Sequence, residues 1–231
     1  MQAKEIKERL VSLIQEASCI DPNLVKRLEE INRWLKNVKP GSLTAKPLVC
    51  LFLLQIIQDT EAWLIFQSLP SKEEQLAALN ALNPAVRYWY SDLFPKWFSK
   101  NDPKFYVWRQ KLIAGEFSHE DKDFLKLVGS EIEQRGGTFV LRYIADLSIA
   151  TDIIVSSSQD NPLCIQLTSL SDEYSQQKSD NWEMTLRFWK IERGLFLSYN
   201  PGANNFVNQI VNITLYNSNN LSIATYLKFN L

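Results

Sequence analysis

One histidine, three scattered cysteines and seven glycines in 231 residues set the first limits on this chain. With His119 as the single histidine, any site that needs two imidazoles is excluded, His-rich zinc centres among them. Cys19, Cys50 and Cys164 form no C-x-x-C pair. That usage argues against a disulfide scaffold and for reduced thiols in a cytoplasmic setting. None of the glycines builds G-x-x-x-x-G-K-[ST] or G-x-G-x-x-G, so the common phosphate-cradling loops are missing. An excess of one charge is missing too. Twenty-five Lys and Arg stand against 26 Asp and Glu, and a net charge of −1 excludes a polycation that coats nucleic acid as a whole. The opening MQAKEIKERL is charged where a signal peptide carries an apolar run. The one long hydrophobic stretch, 47–66, is interrupted by Gln55, Gln58, Asp59 and Glu61. It reads as a buried helix rather than a membrane span, so no membrane association is expected.

What is present is an ordinary globular composition with many aromatics: 7 Trp, 8 Tyr and 12 Phe. Ile6, Leu10, Leu13, Ile14 and Ala17 recur at helical spacing, and Asp21-Pro22 reads as a cap and first turn. The next helix carries Leu24, Leu28, Ile31 and Leu35, and Lys39-Pro40-Gly41-Ser42 breaks it. Another follows from Pro47, and a shorter one begins after Pro70-Ser71, with Glu73 and Glu74 in its first turn. Pro84, Pro95 and Pro103 predict short helices joined by turns. After Gly115 the texture changes. A helix capped by Ser118 runs from His119 to Arg135 and ends at Gly136-Gly137. Three β-branched and apolar runs follow: 138–145, 151–157 and 162–168. The last two are joined by a hairpin turn at 158–161. A helix over 179–192, a strand over 195–199, a helix over 204–215 and a strand over 222–229 complete the order. The expected division is a helical region, 1–115, and an α/β domain, 116–231.

The helix, three meandering strands, helix and strand carry acidic and amide residues in a specific pattern. Glu131 lies on the first helix within the apolar stripe of Phe124, Leu125, Leu127, Val128 and Ile132. Asp152 opens the second run, TDIIVSS, and Gln166-Leu167-Thr168 lies fourteen residues further on, in PLCIQLTS. This arrangement resembles the PD-(D/E)XK nuclease family, with its restriction-endonuclease-like α-β-β-β-α-β core and mixed sheet. The resemblance covers roughly residues 119–200 and implies a Mg²⁺- or Mn²⁺-dependent nuclease acting on DNA or RNA. Glu131, Asp152 and Gln166 would be the metal-facing catalytic residues. Thr168 departs from the family's pattern, since a lysine is usual there. Some members carry that lysine on the following helix, and Lys178 is then its candidate, sharing a helical face with Trp182, Leu186 and Trp189. Plainer readings stand beside these: Glu131 as an edge charge, Asp152 as a turn residue, Lys178 as a solvated lysine.

A second feature is RYWYSDLFPKWFSKNDPKFYVWRQK, residues 87–111, with nine aromatics and six basic side chains against two acidic ones. Basic groups interleaved with aromatics suit single-stranded nucleic acid, which nominates Arg87, Lys96, Lys100, Lys104, Arg109 and Lys111 as contacts. The competing reading is that the aromatics are core. Three functional classes therefore face each other: a nuclease or degenerate nuclease, a non-catalytic nucleic-acid- or protein-binding module that keeps the nuclease fold, and a purely structural or partner protein whose helical half makes an interface. The helical region is the expected surface for a homodimer or protein partner.

Overall fold

The computed structural model describes residues 3–36, 46–115, 119–169 and 172–231. The expected break at Lys39-Pro40-Gly41-Ser42 and the cap at Ser118 lie outside the described residues. The chain divides into two compact units, one of Met1–Leu82 with Tyr90–Phe117, the other of Asn83–Trp89 with Ser118–Leu231.

The first unit contains α1 (Ala3–Ala17), α2 (Pro22–Lys36), α3 (Pro47–Gln67) and α4 (Lys72–Asn80). Next along the chain comes α5 (Pro84–Tyr88), which belongs to the second unit, then a π-helical turn at Trp89–Leu93, α6 (Phe94–Ser99) and α7 (Phe105–Ala114). The amphipathic stripes bury as their spacing demands: Ile6, Leu10 and Leu13 on α1, Leu24, Leu28 and Ile31 on α2. Asp21 caps α2 by accepting from the amides of Asn23 and Leu24. Ser71 does the same for α4 through the Glu74 amide.

Helix α3 is long and apolar enough by composition to cross a membrane, yet it packs as a core helix, burying Phe52, Leu53, Ile56, Ile57 and Asp59. A buried acid needs a partner, and the Tyr90 hydroxyl donates to Asp59 Oδ1 at 2.9 Å. Replacing Tyr90 by phenylalanine removes that donor and leaves the shape intact. The expected cost is about 1–3 kcal/mol, read as a lower urea midpoint at unchanged slope.

The second unit runs α8 (His119–Gln134), β1 (Thr138–Val140), α9 (Tyr143–Ile149), β2 (Ile153–Ser156), β3 (Leu163–Thr168), α10 (Asp172–Phe188), β4 (Arg193–Ser198), α11 (Phe206–Asn220) and β5 (Thr225–Asn230). The fold is α+β, with a five-stranded mixed sheet in the order β1-β2-β3-β4-β5. The first two pairings are antiparallel and the last two parallel. Ile153, Val155, Ile165, Leu195 and Leu197 face one side and join Val128 and Ile132 of α8 with Ile210 and Val211 of α11. On the other side Trp182 of α10 lies 5.6 Å from the Phe196 ring.

Four expectations change here, and the first is Leu127: expected in the buried stripe of α8, it is 50% exposed, so that stripe is narrower than the spacing implies. The run 138–145 is not one strand: β1 stops at Val140, and Tyr143–Ile149 is helical. Burial of Ile144, Ala145, Leu147, Ser148 and Ile149 outweighs the β propensity of a short apolar run. Trp189 Nε1 ties this helix down by donating to the Ser148 carbonyl at 2.9 Å. Helix α10 begins at Asp172, seven residues before the expected 179, so Lys178 is a helical residue. The segment 83–89 also joins the second unit rather than the first. The Ala85 amide donates to Thr138 Oγ1, Arg87 pairs with Asp160, and the Arg142 guanidinium lies over the Trp89 ring.

Candidate functional site

In β3 the side chains alternate. Leu163, Ile165 and Leu167 enter the core with α8 and α11, so Gln166 and Thr168 face the α10 side. Asp152 stands one residue before β2, its amide bonded to the Ile165 carbonyl at 2.8 Å. Ile153 enters the α8–α11 core, so alternation turns Asp152 the same way as Gln166. The two meet. Gln166 Nε2 donates to Asp152 Oδ2 at 2.5 Å, and the Leu167 amide donates to the same oxygen at 2.7 Å. Two donors on one oxygen hold the carboxylate in a single orientation.

Two residues along the same strand face, roughly 7 Å by strand rise, Thr168 receives a different partner. Lys178 Nζ donates to its Oγ1 at 3.1 Å. The longer α10 makes this possible. Trp182 and Leu186, on the helical face that Lys178 shares, are buried, which holds the lysine over the carboxyl end of β3. Lys178 itself is half-buried. The other nearby cation is committed elsewhere: Lys228 of β5 pairs with Asp180 and Glu183 of α10. Its hydrogen bond holds the Asp180 carboxyl below its ordinary range. Glu183 is lowered first by Arg187 and further by Lys228.

Sequence reasoning missed one residue of this face. Ser198 of β4 is buried and lies in register with Thr168. Its strand was anticipated, but parallel pairing and register come from tertiary contacts. The face thus ends at the carboxyl ends of parallel strands, where ligands of open α/β sheets bind.

Glu131 does not join this group, which corrects its place in the expected site. It pairs with Arg135 in the next helical turn at 3.6 Å. Arg135 in turn donates to Asn208 and Asn212 of α11. The carboxylate therefore belongs to the α8–α11 side of the sheet, opposite Asp152 and Gln166. Among the described residues no three of His, Cys, Asp and Glu come together as a metal cage. Among the described residues the donor set at the site is one carboxylate and one amide side chain within hydrogen-bond reach. That set fits a hydrated Mg²⁺ or Mn²⁺, which takes one or two carboxylates and keeps several waters; it does not fit a closed protein cage. Gln166 would have to turn its carbonyl oxygen, in place of its NH₂, toward the ion.

The basic and aromatic stretch resolves toward core. Trp89, Phe94, Trp97 and Trp108 are buried, and Tyr106 alone of the nine aromatics is exposed. A row of bases cannot stack on buried rings, so the single-strand platform is not formed by these aromatics. Of the six nominated cations, Arg87 pairs with Asp160 and Lys96 with Asp92. The Lys100 carbonyl accepts from Arg27, and the Lys104 amide donates to Asp102. Arg109 lies over the Phe105 and Tyr106 rings, and Lys111 is exposed. Arg87 belongs to the second unit and the other five to the first.

No protein-family model matches the chain, no curated protein matches it, and no solved structure matches it.

Proposed function

We propose that the second unit is a nuclease-like core of the PD-(D/E)XK kind, acting on DNA or RNA phosphodiesters, with its lysine supplied from α10. The observation that carries this reading is the 3.1 Å hydrogen bond from Lys178 Nζ to Thr168 Oγ1. It sets a cation at the strand position where the resemblance calls for one, on the face that also bears Asp152 and Gln166. Asp152 and Gln166 would hold the divalent ion, and that ion supplies Lewis acidity toward the phosphate when bound. Lys178 donates a hydrogen bond to a phosphoryl oxygen and stabilises the charge that develops there. Thr168 keeps the ammonium in place, and the Leu167 amide keeps the Asp152 carboxylate facing the ligand.

The test is Mn²⁺ titration by calorimetry, together with cleavage of labelled single- and double-stranded DNA and RNA. Asp152→Asn keeps an acceptor for Leu167 and Gln166 but removes the charge. It is expected to abolish Mn²⁺ binding and cleavage together, with the thermal midpoint little changed. Mn²⁺ binding that survives Asp152→Asn would sink the site. Oligonucleotides bound in a salt-sensitive way but never cut by the wild-type chain would instead mark a binding module on the same fold.

A further inference from the structure

The first unit contains a cavity of about 350 Å³ lined by α2 and the segment 101–109. Its charge is the first clue. Arg27, Arg33 and Arg109 line it, against Glu30 and Asp102. The second clue is hydrogen bonding. Arg27 is buried, and one side of its guanidinium is used structurally: Nη1 donates to Glu30, and Nη2 donates to the carbonyls of Trp97 and Lys100. Its Nε has no hydrogen-bond partner, and neither has Arg109 Nε or the indole Nε1 of buried Trp34, all three being buried atoms of cavity residues.

The Asp102 oxygens and one oxygen of Glu30, by contrast, are engaged. Asp102 Oδ2 accepts from the indoles of Trp97 and Trp108, and its Oδ1 from the Lys104 amide. Glu30 Oε2 accepts from Arg27. Three residues of the lining therefore carry an unsatisfied buried donor, and none of the lining carries an unsatisfied buried acceptor among the described residues. Buried donors of this kind are costly unless something accepts from them. Guanidinium and indole N–H groups only donate, so the missing complement is an acceptor, and three arginines against two carboxylates leave an excess positive charge that favours an anionic one. Burial pushes the Arg27 guanidinium down, with Glu30 and Asp102 pulling it back.

We propose that this cavity binds a small oxyanion, the phosphate or carboxylate group of a small molecule, on Arg27, Arg33 and Arg109 with the Trp34 indole as a further donor. The volume lies at the lower end of small-molecule sites, which sets the ligand at metabolite size rather than a polymer. Phe105 forms an apolar wall, its ring lying 4.9 Å from the Arg109 guanidinium carbon and 5.9 Å from that of Arg27. Arg33 is exposed and makes no ion pair among the described residues, as suits the residue at the entrance. This site is independent of Asp152 and stands or falls separately from the nuclease reading.

The experiment titrates the full chain with sodium phosphate and with sodium acetate, against sodium chloride at matched ionic strength. Calorimetry and tryptophan fluorescence are the readouts. Saturable binding of phosphate or acetate is expected, with a Kd of about 1 mM or tighter. The Arg33→Gln and Arg109→Gln variants are each expected to weaken it about ten- to a hundredfold, the range for charge-assisted hydrogen bonds. Arg33 is exposed, so its variant keeps the test valid if Arg109→Gln disturbs packing. Arg187→Gln, an exposed arginine of the second unit, is the control and leaves binding unchanged. Phosphate saturating alone identifies a phosphate site, and acetate alone a carboxylate site. A response equal to that of chloride overturns the proposal, as does binding indifferent to Arg33→Gln or weakened equally by Arg187→Gln.

Discussion

Lys178→Ala is expected to lower Mn²⁺-dependent phosphodiester cleavage by about 10²–10³-fold, the loss associated with removing one electrostatic contact to a developing charge. The thermal midpoint is expected to stay nearly where it is. Lys178 is half-buried, and the hydrogen bond to Thr168 is its one contact of that kind among the described residues. Removing it leaves a hydroxyl that water can reach through the space vacated. A merely solvated lysine at this place would show no rate effect, so equal cleavage by wild type and variant would end the migrated-lysine reading. The double variant Thr168→Lys, Lys178→Ala sharpens the test. It returns the cation to the strand and takes the helix residue out of its way, so part of the lost rate should come back. A silent double variant beside a damaged single one would mean that Lys178 acts through something other than its charge.

The second large effect is on stability. Gly194→Val is expected to destabilise the second unit by about 1–3 kcal/mol or more, as overpacking of a filled core does. A Cβ at Gly194 would lie 2.3 Å from Leu186 Cδ1 and 2.8 Å from Trp182 Cζ2. Both side chains are buried on α10, at 0% and 2% exposure, and have nowhere to go. Valine's strand propensity gains at most about 1 kcal/mol, so the clash wins. Gly115 is the contrast. A Cβ there meets nothing within 4 Å, and its substitution is strained only through a positive φ of 73°. Denaturant unfolding followed by tryptophan fluorescence reads both. A Gly194→Val protein as stable as wild type would show that α10 is not packed on β4 as described. Because the same clash lifts the helix that carries Lys178, cleavage should fall together with stability here, and alone in Lys178→Ala.

Much of the architecture was legible because it is local. Helical spacing in α1 and α2, the caps at Asp21 and Ser71, and the turn between β2 and β3 depend on residues a few positions apart. So does the alternation that sends Ile165 and Leu167 one way and Gln166 and Thr168 the other. The failures are equally particular. A short apolar run at 138–145 fits strand or helix, and burial of Ile144 and Ile149 decided for helix. Periodicity set Glu131 within the apolar stripe of α8, but no periodicity says which face of the sheet that stripe covers.

By itself, then, the sequence determined a helical first part, an α+β second part, the strand alternation, and the exclusion of two-imidazole sites, C-x-x-C pairs and the common glycine-rich phosphate loops. Tertiary structure decided the rest. It drew Asn83–Trp89 into the second unit, paired β3 with β4 so that Ser198 lies beside Thr168, and sent Glu131 to Arg135. It also brought Lys178 to Thr168 and gathered two arginines of α2 and one of α7 around one cavity. The physical reason is that residue type and spacing encode interactions within a turn or a strand. Which elements meet is set by how whole apolar faces are covered, and that sum is not written at any one position.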